Sequence, residues 1–181
     1  MSATAKEEAR LAALRSYQIL DTPAEERYDR IVRMAARLFG SPIALISLVD
    51  GDRQWFKASV GLEAQQTPRA ISFCAHAIEQ DGVFVVPDAA ADPRFAENPL
   101  VTGAPHVAFY AGAPLVTTDG HALGTVCVID HQPWTGFPDY AREGLRDFAT
   151  IVTDLLEARR SVRLLGDENL RLAAELAALS P

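Results

Sequence analysis

Apolar residues first recur at helical spacing, then gather into short strand-like runs, and finally return to a helical period that lasts almost to the end of the chain. Good helix formers dominate from Ala5 to Tyr17, where Leu11 and Leu14 mark an apolar side. Asp21-Thr22-Pro23 interrupts this pattern, and Thr22 followed by Pro23 is a start signal for a second helix. Tyr28, Ile31, Val32, Ala35, Leu38 and Phe39 then repeat at helical spacing until Gly40-Ser41-Pro42 ends them.

Ile43 to Val49 is nearly all apolar and predicts a central strand covered on both faces. Asp50-Gly51-Asp52 is a turn signal, and Gln54 to Val60 predicts its hairpin partner. Ser72 is placed to cap a short helix through about Glu79, with Phe73, Cys74, Ala77 and Ile78 on one face and His76 on the flank. Val83 to Val86 predicts a short strand. A Pro-, Asp- and Asn-rich excursion runs from Pro87 to Pro105, long enough to suggest a functional loop. Val107 to Leu115 and Leu123 to Ile129 flank Asp119-Gly120 as a second hairpin. Alternation gives Cys127 the neighbours Leu123, Thr125 and Ile129, and admits only one of Phe109 and Tyr110 to a given face.

After Pro138 the period is helical again. Steps of seven from Phe148 reach Leu155, Val162, Asn169 and Leu176, and steps of seven from Ile151 reach Ala158, Leu165, Leu172 and Leu179. These rows are positions a and d of a heptad repeat, and Asn169 at an a position suits a two-stranded parallel pairing. The expectation is a homodimer through the terminal helices; a long helix folded back on its own domain is the alternative. The division expected is 1–20 for an N-terminal helix, 21–140 for a core and 141–181 for a dimerising, signalling helix.

With 181 residues, 49% hydrophobic and 23% charged, the chain suits one folded domain. Its 17 Lys and Arg against 24 Asp and Glu give a formal charge of −7 and no basic run, which argues against a nucleic-acid partner. The apolar runs fall short of the roughly 20 residues that cross a bilayer, so no membrane insertion is expected. Two cysteines, Cys74 and Cys127, form no disulfide framework and point to a cytoplasmic location. C-x-x-C, H-E-x-x-H, G-x-S-x-G and glycine-rich phosphate loops are all missing, so no metal or catalytic residue is assigned. Both cysteines read as packed core thiols that react slowly, and Arg94 reads as an internal partner of Asp88 or Asp92.

Several blocks in order resemble the GAF family of sensory domains, in the bacterial subgroup often joined to histidine kinases or diguanylate cyclases. They are Ile19-Leu20-Asp21-Thr22, Ile43 to Asp50, Arg53-Gln54-Trp55-Phe56-Lys57, Ser72 to Ile78, Asp92-Pro93-Arg94-Phe95, Asn98 to Val101, Phe109 to Leu115 and Leu123 to Asp130. The resemblance implies an α+β fold: a GAF-like antiparallel sheet with flanking helices and a long C-terminal coiled-coil helix. It implies a ligand site beneath the Ser72–Ile78 helix and the 87–105 excursion, near Ser72, His76, Asp88, Phe109 and Tyr110, which combine polar tips with aromatic walls. The ligand or cofactor stays unknown. A cyclic-nucleotide-type Asn-Lys-Phe-Asp-Glu signature is missing, and Ala75 separates Cys74 from His76 where bilin-binding relatives have Cys-His.

The functional expectation is a non-catalytic sensory or regulatory module that binds a small ligand and transmits the change through dimer helices. Its output would go to a separate histidine kinase or cyclase, unless the chain is a piece of a longer sensor. Two alternatives stand beside it: a constitutive dimerisation scaffold whose pocket is filled by its own side chains, and a small redox enzyme of the free methionine sulfoxide reductase type.

Overall fold

In the computed structural model, which describes residues 2–179, the strand-like runs assemble into one sheet with long helices on one side and short turns on the other. The order is α1 (Ala3–Ser16), α2 (Glu26–Phe39), β1 (Ile43–Val49), β2 (Arg53–Val60), β3 (Gln66–Pro68), α3 (Phe73–Ala77), β4 (Phe84–Val86), α4 (Pro99–Thr102), β5 (Phe109–Val116), β6 (Ala122–Asp130) and α5 (Asp139–Leu179). The strands lie in the order β3-β2-β1-β6-β5-β4, with every pair antiparallel. The fold is therefore α+β, as the resemblance implies. β1 sits between β2 and β6 and is buried along its whole length, which is why its sequence is apolar without alternation.

Pleating divides the core in two. Ala44, Ile46 and Leu48 of β1, Phe109, Ala111, Ala113 and Leu115 of β5, and Val126 and Val128 of β6 face the long helices. Ile43, Leu45 and Val49, together with Tyr110, Cys127 and Ile129, face α3 and the 87–105 segment. Leu123 departs from the simple alternation and packs on the helical side. The register shifts between Pro114 and Val116, where β6 gains a residue against β5, so parity does not carry across that bulge.

The start of the second helix also differs from expectation. Thr22 does not cap it: α2 begins at Glu26, and the Thr22 hydroxyl donates to Ile19 O at 2.7 Å and accepts from Lys57 Nζ at 2.9 Å. Lys57 lies beside the bulge between Ile46 and Ser47, and its side chain is fully buried. A buried ammonium needs acceptors, and Thr22, Pro23 O at 2.7 Å and Glu25 at 2.8 Å supply them. Arg53 likewise forks onto Asp21 at 2.9 and 2.6 Å. The Ile19–Thr22 and Arg53–Lys57 blocks are thus two halves of one clasp. β3 has no apolar signature; it is an edge strand, where Pro68 is tolerated because no further strand needs its missing N–H.

α5 changes role along its length. Ala141, Leu145, Phe148, Ala149, Val152 and Leu156 are buried against the domain at helical spacing. Its end of the domain is tied down by Tyr17 Oη donating to Glu157 at 2.7 Å, Arg159 donating to Glu25 at 3.1 Å and Arg163 donating to Ser16 O at 2.8 Å. From 164 to 178 every residue is exposed, so the helix projects rather than folding back, over about 22 Å at the helical rise of ~1.5 Å per residue. Heptad members Ile151, Val162, Leu165 and Leu172 are 48%, 71%, 66% and 43% exposed. The side chain of Leu179 and residues 180 and 181 lie outside the described residues. No described helix is long and apolar enough to cross a membrane.

Candidate functional site

The α3 side of the sheet holds a seam of buried polar atoms. Ser72 caps α3 by accepting from Ala75 N at 3.1 Å, which fixes the helix so that Phe73, Cys74 and Ala77 point inward. Below it, Ser47 of β1 and Thr125 of β6 are paired in register, and both are fully buried. Cys127, two residues beyond Thr125, places its Sγ 4.0 Å from Cys74 Sγ. Tyr110 Oη donates to Cys74 Sγ at 3.4 Å. On the β2 side, Gln54 Nε2 donates to Thr67 Oγ1 at 2.6 Å, while Gln54 Oε1 accepts from Ser72 and, at 3.4 Å, from Ser47. Thr125 Oγ1 has no hydrogen-bond partner.

These groups set the acidity of the thiols. The hydrogen bond with the Cys127 thiol, helped by the Tyr110 and Ser47 hydroxyls, outweighs burial and lowers the pKa of Cys74 from its ordinary value. Cys127 moves the other way, held protonated by that same bond and by burial. Burial and the neighbouring thiols push the Tyr110 phenol well up, so it remains a donor. The arrangement directs the Tyr110 hydroxyl at the Cys74 sulfur and sets the two sulfurs against each other. Among the described residues, no group of three or more His, Cys, Asp and Glu side chains is placed to hold a metal ion.

Of the five residues expected near a ligand, Ser72 and Tyr110 reach this seam. Phe109 lies on the opposite face, stacked on Trp134 with centroids 4.2 Å apart, because adjacent strand residues point to opposite sides. His76 is exposed on the outer side of α3, edge-on to Phe95 at 5.0 Å. It lines a shallow depression of about 530 Å³ with Gly51, Asp52, Arg69, Ala70, Ala75 and Glu79. Asp88 organises a turn by accepting from Ala90 N at 3.1 Å and Ala91 N at 3.3 Å. Arg94 pairs with Asp92 at 2.9 Å, as read from the sequence. The five are therefore distributed over both sheet faces and the surface.

Aromatic rings occupy the space beneath α3. Phe73 stacks on Phe95 at 4.1 Å and on Tyr110 at 5.3 Å. Tyr110 also folds over Gly112, where an added Cβ would come within 2.2 Å of the phenol oxygen. A wider groove of about 950 Å³ lies elsewhere, between α1, the β5–β6 turn and α5, and includes Lys6, Arg10, His121, Arg146 and Asp154.

Sequence reasoning missed Ser47, Gln54 and Thr125, and it placed the two thiols in the core without bringing them together. A signal existed. Ser47 and Thr125 are polar interruptions in otherwise apolar strand runs, a pattern that marks a buried polar group in need of partners.

A sheet with long helices on one face and a short capped helix over the other is an α+β architecture, and comparison with known proteins gives it a family. The model of the GAF domain matches residues 23–156, and the chain belongs to the GAF domain family. It is 44% identical over 161 residues to a cyclic di-GMP phosphodiesterase of Pseudomonas aeruginosa, covering 89% of this chain and 27% of that protein. The chain thus spans about a quarter of that curated relative. Among solved structures it is similar in fold to the GAF domain of an Acinetobacter phosphoenolpyruvate-protein phosphotransferase, with TM-score 0.64, 18% identity and coverage of 90% and 98% of the two chains. The free methionine-R-sulfoxide reductase of Neisseria meningitidis gives TM-score 0.63, 19% identity and coverage of 90% and 95%. Those two identities bear on fold alone.

Proposed function

We propose that the chain is a non-catalytic regulatory module in which a small-molecule event on the α3 side alters the sheet, and the change leaves through paired α5 helices. The observation that carries this reading is the continuous tie from sheet to helix. Lys57 of β2 holds Glu25, Glu25 holds Arg159 of α5, and beyond that point α5 projects with its heptad residues exposed. Burial raises the Glu25 carboxyl, but Lys57 and the two arginines beside it more than offset this, so Glu25 stays charged and the tie persists at neutral pH. A movement of β2 therefore reaches α5 through the linked ion pairs Lys57–Glu25 and Glu25–Arg159.

The output fitting this reading is a regulated enzyme of nucleotide second messengers, on the strength of the cyclic di-GMP phosphodiesterase relative, with a kinase or cyclase as other outputs of the same type. Light scattering should give twice the chain mass, and Leu165→Glu with Leu172→Glu should reduce it to one chain mass. A wild-type monomer at tens of micromolar would overturn transmission through paired helices. Retention of a small molecule in native mass spectrometry would support sensing on the α3 side, provided that binding is lost when that side is altered.

The packing beneath α3 favours a second reading. Phe73, Phe95 and Tyr110 fill the place where a ligand is expected, as in a constitutive scaffold with a self-filled pocket. A ligand-free mass, combined with a constitutive dimer and no thermal shift from a metabolite panel, would favour this scaffold.

A further inference from the structure

Cys74 and Cys127 stand apart from the ordinary packed cysteine. Their sulfurs are 4.0 Å apart, with Tyr110 Oη 3.4 Å from Cys74 and an unpartnered Thr125 hydroxyl beside them, in a region whose remaining polar side chains, Ser47, Ser72 and Gln54, bond to one another. Two thiols within a core could pack as small hydrophobes. A buried hydroxyl without a partner is not explained by packing, because removing it from water without a replacement hydrogen bond is destabilising. Around a sulfur anion the same hydroxyls become useful donors.

We infer that Cys74 and Cys127 are a peroxide-reactive thiol pair that forms an internal disulfide beneath α3. In the first step the Cys74 thiolate attacks one oxygen of a small hydroperoxide. The O–O bond breaks, Cys74 becomes a sulfenic acid, and the other oxygen leaves as an alkoxide that takes up the proton released by the Cys74 thiol, giving an alcohol, or water when the oxidant is hydrogen peroxide. In the second step the Cys127 sulfur attacks the Cys74 sulfur. The S–S bond forms, and the hydroxyl of the sulfenic acid leaves as water with the proton from Cys127. Altogether two thiols and one hydroperoxide give one disulfide, one alcohol and one water.

The roles follow from position. Cys74 sits on α3, a helix of five residues, whereas Cys127 lies within a strand paired on both sides. Closing 4.0 Å to a bond of about 2.05 Å therefore draws on α3. Its movement carries the Ser72 cap, and through Ser72 it pulls on Gln54 of β2, three residues before Lys57. Burial confines the reaction to small, uncharged oxidants admitted when this short helix opens locally.

The test uses the wild-type protein. The reduced chain is treated with hydrogen peroxide, denatured, alkylated at remaining thiols and weighed, with non-reducing peptide mapping. The expected product carries no alkyl group, has lost the mass of two hydrogens, and joins the Cys74 and Cys127 peptides within one chain. Dithiothreitol should restore two alkylation sites. Cys127→Ala should stop at a sulfenic acid on Cys74 that a cyclic 1,3-dione captures, and Tyr110→Phe should slow disulfide formation several-fold while leaving it complete. Two alkylatable thiols remaining under peroxide that fully oxidises a free-thiol control would overturn the inference, as would a disulfide only between chains. Because the main readout needs no substitution, failure of a variant to fold leaves the test intact, and neither outcome bears on the dimer.

Discussion

The two faces of this sheet use the same strands for different purposes. Toward the long helices, β1, β5 and β6 present Ala, Ile, Leu, Val and Phe side chains, and the polar groups stand at the margin, where Lys57 is clasped by Thr22, Pro23 and Glu25. Toward α3, the same strands present Ser47, Thr125, Cys127 and Tyr110 among their apolar residues. The helical face is a packed support tied to α5. The α3 face is a low-dielectric chamber in which hydroxyls and thiols depend on one another. Adjacent residues on one strand can therefore have unrelated reasons for being aromatic.

The largest expected difference between the faces lies at the neighbouring pair Phe109 and Tyr110. Phe109→Ala removes a fully buried ring stacked on Trp134 and should destabilise the domain by about 3–5 kcal/mol in denaturant unfolding. Tyr110→Phe keeps the ring and removes one hydroxyl, so the loss should be about 1 kcal/mol. Equal losses would mean that the two faces do not differ in the way described. Next in size is Lys57→Met, which leaves Glu25 with Arg27 and Arg159 only. Glu25 is partly exposed and keeps those partners, so about 1–2 kcal/mol is expected, below the ~3–5 kcal/mol for breaking a fully buried pair. A loosened α5 should accompany it, seen as faster amide exchange around Arg159.

Beside the α1 end of the sheet, stability depends on pH through one carboxylate. Glu7 is held down to about 2 from 4.5, chiefly by its hydrogen bond to Arg10, with Arg69 adding to it against the opposing effect of burial. A carboxylate whose folded pKa is lowered stabilises the fold fully above its unfolded pKa, and that contribution is lost as pH falls from about 4.5 toward 2. Glu7→Gln should lower the melting temperature at neutral pH and flatten the decline across that acid window. Parallel melting curves for the two proteins between those pH values would show that Glu7 contributes nothing. Arg10 also donates to Val49 O at 2.7 Å, so the variant should leave α1 attached at the end of β1.

The sequence made the strand run, both hairpins, the Ser72 cap and the projecting α5 legible, because each has a local cause. Ile43 to Val49 is apolar since it is central, and Asp119-Gly120 marks a turn whatever surrounds it. The start of α2 is not legible in the sequence because Thr22 answers to Lys57, 35 residues away, rather than to its own helix. β3 was missed because an edge strand of three residues has no buried face to pattern it. The candidate site is the least legible part. Ser72 and Tyr110 reach the buried seam, but Phe109 required knowledge of which face the strand turns inward, and His76 required the rotation of a five-residue helix. The pairing of Cys74 with Cys127 spans 53 residues and depends on β6 lying beneath α3, which no local spacing encodes.

The smallest expected effect belongs to His76, and it separates the rim of α3 from the chamber beneath. Its ring is exposed and meets Phe95 only edge-on, at 5.0 Å. An edge-to-face pair of this kind contributes about 0.5–1.5 kcal/mol when well packed, and exposure places His76→Ala at or below the lower end, within ~0.5 kcal/mol of wild type. Cys74 and Cys127 should then show unchanged oxidation, since His76 points away from them. A small molecule bound in the depression beside Arg69 and Glu79 would lose affinity in the same variant without any change in unfolding. A large loss of stability would instead show that the ring holds Phe95 over Phe73, making the rim part of the packed face rather than a surface laid over it.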